Sequence, residues 1–414
     1  DFKTGKDWDI QLKQLRTSSE GIMKTATMLN KANALPEFIN SIGKIDLSVN
    51  ANKRGNNTTL SSKLSTSLGD INVNIKKTGE HVKADITATD FNIGELTNNN
   101  AFGTFTGNLF AEGVIKGNDI ISASGNVDVK SFTYNNHTFK DAKAIASYIK
   151  NGKSHATIDI NDNAGNINLI ANYDRLIKSH SISISGQVDN LAPASLGLTD
   201  KWEGKRFSFA VNGTLTGKDL PSSNGNLLIT DFSMRDDEGN YKLNEIEIHK
   251  TVKAKTHQLT FKSDFATLRA EGEFNYETLV NSVTNAIYNR LPTLPGLKKR
   301  PATNNNFNIY ATINNTEVAQ KLFDIDLQIH EPVHLIANIN DAEHKIDIRL
   351  DASRFAYNGN NYRNGHLLLL CPNDTMQAVI NASQISDNGD ATYTIRAKAA
   401  NNQLDTKFVF HTDN

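Results

Sequence analysis

The stretch 127–142, VDVKSFTYNNHTFKDA, decides how this chain reads. Val127 and Val129 alternate with Asp128 and Lys130, and Phe132 closes the run. Asn135-Asn136 follows as a turn, and Phe139 opens the next run. Alternation with a period of two places apolar residues on one face of a strand and polar residues on the other. The same phrase returns twice. LLITDFSMRDDEGNYKLNEI (227–246) carries Phe232 and Tyr241, and IRLDASRFAYNGNNYRNGH (348–366) carries Phe355 and Tyr362. A strand-only repeat of roughly a hundred residues is the mark of an extended repetitive architecture, which works by shape and surface more often than by a catalytic centre.

Alternation extends outward from this phrase. Ile45, Leu47, Val49 and Ala51 keep it, as do Ile71, Val73 and Ile75; Val82, Ala84, Ile86 and Ala88; Ala156, Ile158 and Ile160; and Phe207, Phe209 and Val211. Strands are expected almost without interruption from Ile45 to Tyr276. Asn151-Gly152, Asn224-Gly225, Asn358-Gly359 and Asn388-Gly389 supply the positive φ that tight hairpins need. LAPASLGL (191–198) reads as a short helical or irregular crossover.

Helical spacing is found in three places. Leu12, Leu15, Ser19, Ile22, Ala26 and Leu29 share a stripe, predicting a helix from about 10 to 35 that ends at Pro36. It would pack on the end of a sheet or plug an apolar groove. A second helix is expected over 277–291, ending at Pro292, and a third over 316–323. The domain reading is therefore an N-terminal helical segment (1–40), two β-repeat modules with a closing helix (41–291), a Pro-rich linker (292–306) and a third β module (307–414).

Composition agrees with one-faced sheets. The apolar fraction is 38%, the net charge is -1, and the chain carries 44 Lys and Arg against 45 Asp and Glu. This balance gives no reason to expect nucleic acid, which favours a basic surface. The single cysteine, Cys371, lies in the apolar run LLLLCP and reads as a small buried hydrophobe. No signal peptide or stretch long enough to span a bilayer is found. The opening DFKTGKDWD, without an initiator Met, reads as that of a segment cut from a longer chain, with any membrane anchor outside it.

Two stretches imitate metal sites. His330-Glu331-Pro332-Val333-His334 matches the H-E-x-x-H zinc signature, whose chemistry needs both His on one helical face. Pro332 forbids a helix interior, and residues four apart on a strand lie roughly 13 Å from each other. The stretch 159–165 has the outline of a calcium loop, but its Gly is displaced and Ile170 stands where a bidentate Glu is required. A hairpin turn is the better reading. No Gly-rich phosphate loop, nucleophile elbow or Cys/His cluster appears, so neither an enzyme nor a cofactor is expected.

A sheet with one apolar face must hide it. It can meet another sheet, or curl into a half-pipe that is dry inside. The inner wall would include Ile45, Leu47, Val73, Ile86, Ile158, Leu169, Phe207, Phe209, Leu335 and Ile348. The aromatics Phe132, Phe139, Phe232, Tyr241, Phe355 and Tyr362 would fix register beside the turns or line the rim. The expected fold is an all-β antiparallel meander curled into a β-taco, with a few helices.

The run 94–174 resembles the repeats of the TamB branch of the AsmA-like family, in its Bacteroidota-type form. The matching elements are Phe91-Asn92-Ile93-Gly94-Glu95-Leu96, the G-x-F-x-G-x-L-x-A-x-G strand at 103–113, and the F-x-Y turn phrase. The likeness extends from about Ser41 to the end. It implies a long curled sheet whose hydrophobic trough crosses the periplasm, in proteins held in the inner membrane by an N-terminal helix. It further implies a bridge-like lipid transfer role that carries phospholipid or another acyl lipid toward the outer membrane. A BamA-like outer-membrane barrel is the implied partner, through regions outside this chain, and no catalytic residues are implied. A scaffold or adhesion module, or an assembly module for outer-membrane proteins that binds through sheet edges and loops, is the alternative.

Overall fold

The computed structural model describes residues 7–412 except 31–34, 315–316, 373 and 388; of Glu37 only the backbone is described. Among the described residues the protein is all-β: 65% strand and 10% helix, with 24 strands in one antiparallel sheet that is not closed. The chain divides into two compact units, 1–210 with 235–238, and 211–234 with 239–414.

In the first unit the strands are β1 (Trp8–Ser18), β2 (Lys44–Arg54), β3 (Asn57–Thr66), β4 (Gly69–Thr78), β5 (His81–Asn92), β6 (Phe102–Lys116), β7 (Asp119–Tyr134), β8 (His137–Ile149), β9 (Lys153–Asp162), β10 (Gly165–Arg175) and β11 (His180–Leu191). Each pairs antiparallel with the next. The unit boundary falls within β12 (Arg206–Gly217), which β13 (Asn224–Arg235) follows. The second unit continues with β14 (Asn240–Lys253), β15 (Thr256–Ser263), β16 (Ala266–Glu273), β17 (Asn306–Ile313), β18 (Leu327–Ile329), β19 (Val333–Asn340), β20 (Lys345–Tyr357), β21 (Asn360–Cys371), β22 (Met376–Gln384), β23 (Ala391–Ala400) and β24 (Gln403–Thr412). Here β18 is a short addition that pairs with β20 beyond the end of β19.

The opening phrase is a hairpin, as its pattern requires. Asn135 and Asn136, at φ 46° and 67°, form the turn between β7 and β8, and Phe132 stands opposite Phe139. Asn358 and Gly359, at φ 47° and 73°, do the same between β20 and β21, where Phe355 stacks on Tyr362 at 5.2 Å. Positive φ at both central residues matches the right-handed twist of the flanking strands. Asn151-Gly152 also forms a turn, between β8 and β9. Asn224-Gly225 does not: it opens β13, and a Cβ on Gly225 would meet the Thr214 carbonyl oxygen at 2.5 Å. Of Asn388-Gly389, Asn388 lies outside the described residues.

The N-terminal expectation needs correction. Residues 8–18 are a strand, and only Ser19–Met28 forms a helix, α1. Trp8, Ile10 and Leu12 alternate and stand opposite Lys53, Ala51 and Val49. A bulge between Leu12 and Leu15 then changes the phase, so the two leucines fall three apart as they would on a helix. Ser18 ends the strand and caps α1 by accepting from the Gly21 N–H at 3.2 Å. Residues 31–34 of the expected helix lie outside the described residues.

A short helix not expected from alternation, α2 (Ile93–Thr97), interrupts the strands. Asn92 Oδ1 accepts the Glu95 N–H at 3.0 Å and its Nδ2 donates to the Glu95 carboxylate at 3.0 Å, and Asn98 closes the helix at φ 51°. The two later helices fall where helical spacing places them, as α3 (Leu279–Arg290), after a 3-10 turn at Tyr276–Thr278, and α4 (Glu317–Phe323). The Pro-rich stretch lies within the second unit and is tied to α3: Asn285 bonds the carbonyl of Pro301 and the N–H of Arg300. After β11 the chain turns through Ala192 and Leu196, both buried, as an irregular crossover.

Candidate apolar face

Antiparallel register turns the alternation into rows, because residues directly opposite share a face. One row of the first unit runs Val49, Ser62, Val73, Ile86, Leu109, Val127, Ala144, Ile158, Leu169, Gly186. The neighbouring row runs Ala51, Leu60, Ile75, Ala84, Ala111, Gly125, Ala146, Ala156, Ala171, Ile184. The first is rich in branched side chains, and the second is mostly Ala and Gly. Large beside small leaves a hollow, since a short side chain cannot fill the space its neighbour reaches. An apolar hollow of about 320 Å³ lies there, against Leu109, Ala111, Val127, Ala144, Ala146 and Tyr148.

This face is not covered throughout. Ile158, Ile182, Ile184 and Tyr148 remain 37–46% exposed on it. At one end it is closed. Ile22 of α1, Ile39 of a 3-10 turn, and Ile93 and Leu96 of α2 pack over Ile45, Leu68, Ala88 and Phe91. The helices therefore cap an end, and the middle rows stay open. The opposite face carries Asn, Asp, Ser, Thr and Lys, with isolated apolar residues such as Ile145.

A bulge at Asp90 marks the boundary between open rows and capped end, and other strand residues share its backbone conformation. Asp90, Asp141, Asn190, Asp231 and Asn364 take positive φ (47–55°). At Asp90 the strand register shifts, and Thr106 Oγ1 accepts the Asp90 N–H at 2.9 Å and donates to its carboxylate at 3.0 Å. Ser208 Oγ accepts the Asn190 N–H at 2.8 Å in the same manner. Beyond the Asp90 bulge the row becomes aromatic: Phe91, Phe105, Phe132 and Phe139 stand opposite one another in turn. Alternation alone does not reveal these positive-φ residues, although Thr-Asp-Phe marks two of them, at 89–91 and 230–232.

The second unit repeats the scheme. Ile248, Phe261, Leu268, Ala311, Leu335, Leu350, Leu367, Ile380, Ile395 and Phe408 form one row. Ile380 and Phe408 are 44% and 60% exposed. Helix α3 closes an end, with Val283, Ala286 and Ile287 over Phe307, Ile339, Ile346 and Cys371. Cys371 is thus a core residue, and burial pushes its thiol pKa up.

Of the residues expected to line the inner wall, Val73, Ile86, Ile158 and Leu169 share one row of the first unit, and Leu335 lies in the open row of the second. Ile45 and Phe207 are instead closed core, 7% and 6% exposed: capping elements cover Ile45, and Trp202 packs edge-on to Phe207. Leu47 and Ile348 flank the capped clusters, and Phe209 is half-buried on β12. Phe232 and Tyr241 lie on β13 and β14, with Lys321 Nζ 5.7 Å from the centre of the Tyr241 ring.

His330 sits in the turn before β19 and His334 on that strand, which is not the helical arrangement of a zinc signature. The stretch 159–165 is the β9–β10 hairpin. Its Asp162 bonds His137 Nε2 at 2.9 Å and the Ala164 N–H at 2.8 Å. Among the described residues no group of His, Cys, Asp and Glu could hold a metal.

A buried charged group stands on the apolar side. Lys250, opposite Leu259, is 8% exposed; its ammonium donates to the carbonyls of Leu220 and Pro221 and lies 5.1 Å from the centre of the Tyr276 ring. Burial pulls its pKa down. Burial also pulls down His257, helped by the Lys250 charge. Compared with protein-family models, curated proteins and solved structures, the chain matches none.

Proposed function

We propose that the chain is a non-catalytic, lipid-carrying segment of a TamB/AsmA-like envelope protein, its open apolar rows holding acyl chains. The carrying observation is the pairing of a branched row with an Ala/Gly row, which leaves an uncovered apolar hollow on one face of the strands. Acyl chains suit such a surface because apolar contact is non-directional and scales with buried area, about 25 cal/mol per Å². The resemblance of the repeats supports placing the segment in the periplasm, moving phospholipid between inner and outer membranes in support of outer-membrane biogenesis. The resemblance implies that anchoring and any barrel partner lie in regions outside this chain; no helix among the described residues is long and apolar enough to cross a membrane.

Lipid extraction of the purified chain, followed by mass spectrometry, tests the reading. Phospholipid should co-purify, and L109D/V127D should lower its yield several-fold while the strand signal in circular dichroism persists. A lipid-free chain, or a yield that the substitutions do not change, would favour a scaffold that binds through loops and edges.

A further inference from the structure

A cavity of about 230 Å³ opens beside α3, against the turn between β19 and β20. Arg290, Lys299, Arg300 and Lys345 line it, with His344 and a single carboxylate, Asp341. Four cations against one acid is a local excess in a chain whose charges otherwise balance. That carboxylate is already engaged: Asp341 Oδ2 accepts from Ser282 Oγ at 2.9 Å and from the Asn305 N–H at 2.8 Å. Arg290 is 3% exposed, and its guanidinium donates to the carbonyls of Ala286 and His344 at 3.0 and 3.1 Å. The side chains of Lys299, Arg300 and Lys345 make no ion pair among the described residues. Like charges held around one hollow repel, and an oxyanion between them removes that cost and gains charge-assisted hydrogen bonds.

The cavity also has an apolar side. Ala286 and Ile346 line it, and both belong to the apolar cluster beneath α3. Ile346 lies on the same face of β20 as Leu350 of the open row, four residues away, so the cations stand at the capped end of that face, where the headgroup of an amphiphile lying along it would fall. We propose that this cavity, beside α3 in the second unit, binds the phosphate of an anionic lipid headgroup. The inference rests on the reading of the apolar face as an acyl carrier, and it adds the headgroup chemistry.

Calorimetric titration of the full chain with dioctanoyl phosphatidic acid, dioctanoylglycerol and inorganic phosphate separates the possibilities. Phosphatidic acid should bind at least ten-fold more tightly than dioctanoylglycerol. K299Q/R300Q/K345Q should abolish that ratio; these three side chains are exposed, so their loss leaves the core intact. Equal binding of both lipids, or a ratio that survives the triple substitution, overturns the headgroup site and leaves acyl binding standing. Inorganic phosphate that binds as tightly as phosphatidic acid also overturns the headgroup assignment, since the cavity then takes free anions. If neither lipid binds, both readings fall.

Discussion

Asp90 holds φ at 47° near the end of β5, between strand residues. Asp and Asn tolerate this region because a short polar side chain can bond locally, as Asp90 does with Thr106. Val has no such partner and its branched Cβ crowds the backbone. D90V should therefore cost about 1–2 kcal/mol, and D90G much less, read as shifts in the urea midpoint. His257 makes a second prediction. Its pKa lies below the ordinary 6.5 because it is half-buried and feels the Lys250 charge. Between the folded value and 6.5 the unfolded chain binds more protons, so stability is full above pH 6.5 and falls as the pH drops below it. Urea midpoints measured from pH 7.5 to 5 should decline, and H257F should flatten the decline.

Strand alternation survives in the structure wherever register is unbroken, because a half-buried strand has few other ways to place its side chains. It misleads where a bulge changes phase. Leu12 and Leu15 imitate a helix for that reason, and Asn224-Gly225 imitates a turn because glycine also serves close strand approach. The cap formed by Asn92 hides within a long β region. Long-range packing is not legible at all: nothing local says that α3 sits on Phe307, more than fifteen residues further along. That contact carries the element's stability. Phe307 is 2% exposed beneath α3, so F307A should destabilise by about 3–5 kcal/mol. The thermal midpoint should fall accordingly, and ANS fluorescence should rise as the apolar cluster opens.

Both units follow one rule: opposite residues build apolar rows, helices close an end, and the remaining rows meet solvent. Branched rows are readable from alternation, as Val73, Ile86, Ile158, Leu169 and Leu335 are. The Ala/Gly row is not, since alanine and glycine carry little apolar signal, although their small size is what makes the hollow. The central claim is that one face of these strands touches acyl chains and the other does not. Adjacent residues test it, because Val127 and Asp128, like Ile158 and Asp159, point to opposite faces. A photo-crosslinking amino acid placed at each of the four positions in living cells, followed by mass spectrometry of the purified chain, reads the contact directly. Lipid adducts at 127 and 158 but not at 128 and 159 are the predicted result; adducts on neither face, or equally on both, would contradict the account.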